Sequence, residues 1–319
     1  MATKEIKGRV IRMKKKVIIT AAITGAVHVP SMSPYLPVTQ EEIIEDAVKA
    51  HEAGAAVVHI HGRDPKNGQP SSDINIIREI VTGIKSKCDV IICVTTGGSI
   101  FMSVEERLSC IPSLQPELVS CNAGSTNFVF EAAANRIENP KYEWEIPHLL
   151  SSKDQIFSNT FSGIEKYINT MNKYDTKPEF EVYDVGMINN LAYFYNKGLI
   201  KKPIYLQFMM GILGGIPATV ENLTYLYRTA KEQLGEFVWS VGAAGKAQLP
   251  ITTAALTMGG NVRVGLEDNL YIKPGVLAKS SAEQVMLTRE IAEKLGLEIA
   301  TPEEAREILK VKGKDKVNF

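Results

Sequence analysis

Cysteine is scarce in these 319 residues, and none of the four (Cys88, Cys93, Cys110, Cys121) stands at CxxC spacing. That argues against a disulfide framework or a thiolate metal cluster and predicts buried, reduced thiols. Charge of either sign is not in excess: Lys+Arg and Asp+Glu each total 36. Such a chain has no overall field to attract nucleic acid or an anionic membrane. No apolar run reaches the roughly 20 residues of a membrane span. The basic start "MATKEIKGRVIRMKKK" runs into "VIITAAITGA", too short and threonine-rich for a secretion signal, so a cytoplasmic protein is expected. There is no GxxxxGK[ST], and no GxGxxG follows the first apolar run, which leaves no ATP or NAD motif. Histidine is also rare, yet two of the five, His59 and His61, stand one residue apart at the end of an apolar run.

What the chain does have is alternation. Strand-length apolar runs fall at 16–25, 55–64, 89–98, 117–125, 178–186, 203–211, 237–245 and 261–269. Amphipathic stretches at 39–54, 73–87, 161–174, 217–234 and 280–295 read as helices between them. In the first, Thr39 and Glu42 have capping-box spacing and Gly54 closes the helix. Eight strands apolar enough to be covered on both faces predict an α/β fold, a single (β/α)8 TIM barrel with its core over about 16–310. The segment 135–160, with Pro140 and Pro147, is expected as an irregular loop over the barrel or an oligomer contact, and the end "VKGKDKVNF" as a solvated tail.

In such a barrel, chemistry belongs at the C-terminal strand ends. Residues i and i+2 of a strand share a face, so His59 and His61 project side by side, as two ligands of one metal ion would. Arg263, Gly265 and Glu267 share one parity on the eighth strand, which lies two strands from the second across the first. Glu267 can therefore complete a two-histidine, one-carboxylate site with an open coordination position. The same donors also suit ferrous iron, and the histidines could instead simply fill the barrel mouth.

The ends "VTTGGS" and "CNAGSTNF" bring hydroxyls, amides and backbone N–H groups: Thr96, Gly97, Gly98, Asn122 and Asn127 are candidate contacts to a substrate carboxylate or enolate. "FMMGILGGIPAT" (208–219) has the look of a phosphate-cradling loop before a helix. Arg263 can pair structurally with a neighbouring carboxylate, hold Asp268 ionised as a base, or bind an acid.

"TAAITGA", "VVHIHGRDPKNGQPS", "TTGGS", "NAGSTNF", "EVYDVGM" and "VRVGLEDN" together, in order and spacing, resemble the β-keto acid cleavage enzymes over nearly the whole chain. The resemblance implies a zinc-dependent, homotetrameric TIM barrel that takes acetyl-CoA as co-substrate and converts a β-keto acid to acetoacetate and a new acyl-CoA. It implies Zn2+ ligands at His59, His61 and Glu267, catalytic Asp268 and Arg263, and hydroxyls at Thr95 and Ser125, where the founding member has serine and threonine. That member carries glutamate where this chain has His28, a contact to the substrate's ammonium group. A histidine there points to a neutral or acidic side chain, unless it turns away and braces the loop. Metal-dependent aldolases or hydrolases working without CoA, and a non-catalytic metabolite-binding barrel, are the competing readings.

Overall fold

The computed structural model describes residues 3–6, 9–12, 16–98 and 102–319, leaving Ser99 of the "TTGGS" motif outside it. Eight parallel strands close into a barrel: β1 (Ile19–Ala22), β2 (Val57–Ile60), β3 (Ile91–Val94), β4 (Leu118–Asn122), β5 (Lys177–Val182), β6 (Ile204–Met210), β7 (Phe237–Ala243) and β8 (Asn261–Val264). Each pairs with its neighbours in sequence, and β8 closes on β1 with Arg263 opposite Thr20. The expected fold class is borne out.

The five expected helices are present at Gln40–Ala53, Ile74–Lys87, Phe161–Lys173, Val220–Leu234 and Ser281–Lys294. The first begins with the reciprocal Thr39–Glu42 capping box and ends at Gly54 with φ +122°. Alternate strand residues turn outward against these helices and form the main apolar core, with Ile19, Val58, Ile92, Val119, Phe180, Leu206, Val241 and Val262 all buried. The residues between them turn inward. At the N-terminal end of the barrel, Ile18, Val57, Ile91, Leu118 and Tyr205 pack against the helix Pro302–Leu309. That plug, reinforced by Arg306 donating to Glu117 at 2.8 Å, closes one end and leaves the other for chemistry.

Three sequence readings need correction. The run 16–25 is two strands: Lys16–Val17 pairs with Glu298–Ile299 outside the barrel, and only Ile19–Ala22 enters it. The segment 135–160 contains the helix Glu145–Ser151, and it does lie over the barrel mouth: Trp144 donates to the Asn67 carbonyl at 3.0 Å, and a ring nitrogen of His148 lies 3.2 Å from that of Ala26. The C-terminal tail is exposed over Lys314, Asp315 and Lys316, as expected, but docked at its end, where Asn318 donates its backbone N–H to the Leu114 carbonyl and its side chain to that of Ser113. The described cysteines are all free thiols, three of them buried.

Candidate active site

Above the apolar plug the barrel interior becomes polar. Thr20, His59, Ser120, Glu179, Glu181, Gln207, Ser240 and Arg263 are all buried there. Alternation explains it: on β5, Glu179 and Glu181 share the inward parity while Phe180 and Val182 face the helices. Register then lines the groups up, with Glu181 opposite Asn122 on β4 and Gln207 on β6.

His59, on β2, and His61, just past its end, aim their Nε2 atoms at each other across 3.1 Å. Glu267 meets them from the turn after β8, its oxygens 3.7 Å from His59 Nε2 and 3.4 Å from His61 Nε2. Strand parity is not what delivers it, because β8 ends at Val264, and Gly265 at φ +142° starts the turn that swings Glu267 inward. Nor could Gly265 carry a Cβ, which would collide with the Ala22 carbonyl. Gly25, at φ +62°, gives the same clearance on the other side, where a Cβ would overlap the Glu267 side chain.

Arg263 organises the carboxylates. Its Nε and Nη2 bind both oxygens of Asp268 at 2.8 and 2.9 Å, Nη2 also reaches Glu267 at 2.7 Å, and Nη1 reaches Glu181 at 3.2 Å and Gln207 at 2.9 Å. Adjacent acids are driven in opposite directions. Burial would raise the Glu267 carboxyl, but Arg263 and the two imidazoles outweigh it and hold the group well below the usual range. Burial raises Asp268 above its ordinary value against the pull of Arg263. One acid is thus held ionised and the other left the more basic. Burial also pushes Glu181 up to about 7 and His59 down to about 3, so His59 is neutral at pH 7.

These residues fit a divalent metal ion. A tetrahedral zinc with ligands at about 2.0–2.1 Å separates them by about 3.3 Å, close to the spacings here. Glu267 Oε2 is buried with no hydrogen-bond partner among the described residues. When ionised, Glu181, Glu267 and Asp268 set three negative charges against one guanidinium, an excess of two that a divalent ion would neutralise. A second grouping, His59 with Cys93 and Glu179, fits less well. Burial raises the Cys93 thiol well above its ordinary value, and a protonated thiol is a poor ligand.

Two cavities meet at the triangle. The inner one, about 120 Å³, is lined by His59, His61, Thr95, Gly97, Gly98 and Asn122 and roofed by Phe128, Phe130 and Phe157. The outer one, about 490 Å³, holds His28, Arg263 and Asp268. Glu267 belongs to both.

Not every candidate from the sequence reaches these spaces. Thr96 donates its hydroxyl to the Ser120 carbonyl at 2.6 Å and lines neither cavity. Ser125 is exposed and accepts from the Asn159 backbone N–H at 2.8 Å. Asn127 is exposed, with its carbonyl packed against Gly214. His28 lies on the outer cavity with Nδ1 2.9 Å from the Leu266 carbonyl, so it also braces the loop. In the 208–219 loop two of the N–H groups a phosphate cradle would use are already taken: Gly211 and Gly215 donate to the carbonyls of Ile216 and Ile212.

Sequence reading passed over Glu179 and Glu181, although two acids at period two in an apolar strand mark an inward polar face. It also passed over the task of Arg63. This fully buried guanidinium donates to the carbonyls of Thr24, Gly25, His28 and Gly68 and to the Thr24 hydroxyl, tying down the loop that carries Gly25.

Known proteins share both fold and sequence with this chain. Among solved structures, the apo form of ObcA superposes with a TM-score of 0.71 at 20% identity, covering 88% of this chain and 66% of that one, a likeness of fold. The 3,5-dioxohexanoate:acetyl-CoA acetone transferase of Paraburkholderia graminis is 47% identical over 96% of this chain and 99% of its own length. A 3-keto-5-aminohexanoate cleavage enzyme of Fusobacterium nucleatum is 36% identical over 94% of this chain and all of its own. The family described as beta-keto acid cleavage enzyme matches residues 16–311, and this chain belongs to it.

Proposed function

We propose that the protein, loaded with zinc or a similar divalent ion at His59, His61 and Glu267, exchanges acyl groups between an uncharged β-keto acid and acetyl-CoA, giving acetoacetate and a new acyl-CoA. The observation that carries this reading is the contact between a metal-ligand triangle and an arginine-held base: Arg263 bonds both Glu267 and Asp268. A bound divalent ion would polarise the keto and carboxylate oxygens and acidify the carbon between them. Asp268 takes a proton from that carbon, with Arg263 holding its two oxygens in place. The carbanion bonds to the acetyl carbon and displaces CoA thiolate. The thiolate adds to the former ketone, the bond from that carbon to the α-carbon breaks, and Asp268 returns the proton to give acetoacetate and acyl-CoA.

The side chain of the acid is uncharged because the inner cavity has no Lys or Arg to pair with a second carboxylate, and its carboxylates, Glu181 and Glu267, are already bonded to Arg263. Apart from the metal triangle and Glu181, its wall is Phe128, Phe130, Phe157, Tyr183, small residues, neutral polar groups and His148, whose imidazole burial keeps toward the neutral form. A second carboxylate would be desolvated there without a partner, and an ammonium would have to draw Glu181 or Glu267 away from Arg263, either at a cost of several kcal/mol. The substrate named for the Paraburkholderia relative, 3,5-dioxohexanoate, carries an uncharged side chain of this kind.

The test runs the reaction backwards: metal-loaded protein, acetoacetate and a panel of acyl-CoAs, with acetyl-CoA read by mass spectrometry. Acetyl-CoA should form from neutral short-chain acyl groups and disappear in His59→Ala and Asp268→Asn. Silence across the whole panel, from folded protein of verified metal content, would overturn the reading.

A further inference from the structure

Two substrates must meet at one base, and the structure keeps two cavities for them. Resting on the acyl-exchange reading above, we propose that the outer cavity seats the thioester arm of acetyl-CoA, with Arg136 at its rim receiving the nucleotide phosphates, while the keto acid's side chain occupies the inner one.

Size separates the two spaces first. The inner cavity, about 120 Å³, lies well under the roughly 300–1,000 Å³ of pockets that enclose larger ligands, whereas the outer, about 490 Å³, falls within that range. Access to the chemistry separates them again. Of the two, only the outer is lined by Arg263 and Asp268, so a thioester carbonyl must approach from that side to meet a carbanion formed beside Asp268. A shared wall of Val27, Phe128, Phe130 and Tyr183 divides them, and Glu267 stands at the junction.

Besides its charged groups the outer lining includes Met32, Ile137, Ile212 and Leu213, apolar contacts that suit a long, uncharged arm. At the rim Arg136 is exposed and forms no ion pair with any described residue, unlike the enclosed Arg263. A free guanidinium beside such a lining is the group that pairs with phosphate. Gly211 and Gly215, whose N–H groups are already bonded within the 208–219 loop, do not take the phosphates.

The experiment compares wild type with Arg136→Glu and Arg136→Lys, using acetyl-CoA and acetyl-pantetheine, which has the same arm without the nucleotide, and measures free CoA binding by calorimetry in parallel. Arg136→Glu should raise KM for acetyl-CoA and Kd for CoA about tenfold or more, the worth of a charge-assisted contact. It should leave KM for the keto acid, and all constants with acetyl-pantetheine, within about twofold, while Arg136→Lys restores most of the loss. Unchanged constants in the glutamate variant, or equal losses with acetyl-CoA and acetyl-pantetheine, would overturn the assignment. Wild-type protein that binds CoA but turns over no keto acid would sink the proposed reaction and leave the cavity assignment standing on its binding data.

Discussion

Asp46 sits in the middle of the helix Gln40–Ala53 and is 6% exposed. Both of its oxygens accept from the Ser281 N–H at 3.0 and 3.2 Å, at the start of the helix Ser281–Lys294, the Ser281 hydroxyl also bonds to it, and no described cation forms an ion pair with it. Burial outweighs those bonds and raises the carboxyl from 3.8 to about 6. An acid with a raised folded-state pKa costs nothing while protonated in both states. The penalty appears as pH climbs through the unfolded value and is complete above the folded one. A rise from 3.8 to about 6 corresponds to about 3 kcal/mol, of which about 2 kcal/mol accumulates between pH 4.5 and 7.5. Asp46→Asn keeps an acceptor for Ser281 and removes the titration. Its amide N–H groups must find a partner or cost about 1 kcal/mol at every pH. The variant should therefore gain about 2 kcal/mol on wild type across that window, and be the more stable protein at pH 7.5. Urea unfolding of both proteins at half-unit pH steps, with metal content held fixed, measures the difference. A stability difference that stays flat with pH would refute the argument.

Other perturbations probe the site. Gly25→Ala puts a Cβ at φ +62° and into the Glu267 side chain; beyond about 1–2 kcal/mol of backbone strain it should weaken metal binding at least about tenfold in a chelator competition. Intact affinity would show that Gly25 does not position Glu267. Arg63→Lys replaces a five-bond fork with an ammonium and strands carbonyls of the 24–28 loop, so a loss of roughly 3 kcal/mol or more is expected in chemical denaturation. Ser125→Ala should leave kcat within about twofold, while Asn122→Ala, on the wall beside the metal triangle, should lower it at least about tenfold. Equal losses in the two variants would restore Ser125 to the site.

The barrel was legible in the sequence because the outward face of each strand and one face of each helix are apolar, and those periods survive in the residues. The side-by-side histidines were legible for a related reason: a strand fixes the direction of its side chains, so His59 and His61 could be placed by counting. Counting failed where the chain leaves regular structure. Glu267 reaches its place through a turn at Gly265, and Thr96 and Ser125 face backbone partners that only the folded loops supply. Glu145–Ser151 was hidden because a short helix containing Pro147 has little period to show. Arg63 was passed over because its partners are carbonyls, which every residue carries and no motif records.

The roof of the inner cavity has one more consequence. Phe128, Phe130, His148, Ser152, Gln155 and Phe157 all come from the single stretch between β4 and the helix Phe161–Lys173, while the metal ligands and the base come from the ends of β2 and β8. The cavity roof and the proposed reactive groups are thus written in separate parts of the gene. A library at His148, Ser152, Gln155 and Phe157, which line the inner cavity and not the outer, can vary that roof while the His59–His61–Glu267 triangle, Asp268 and Arg136 are inherited unchanged.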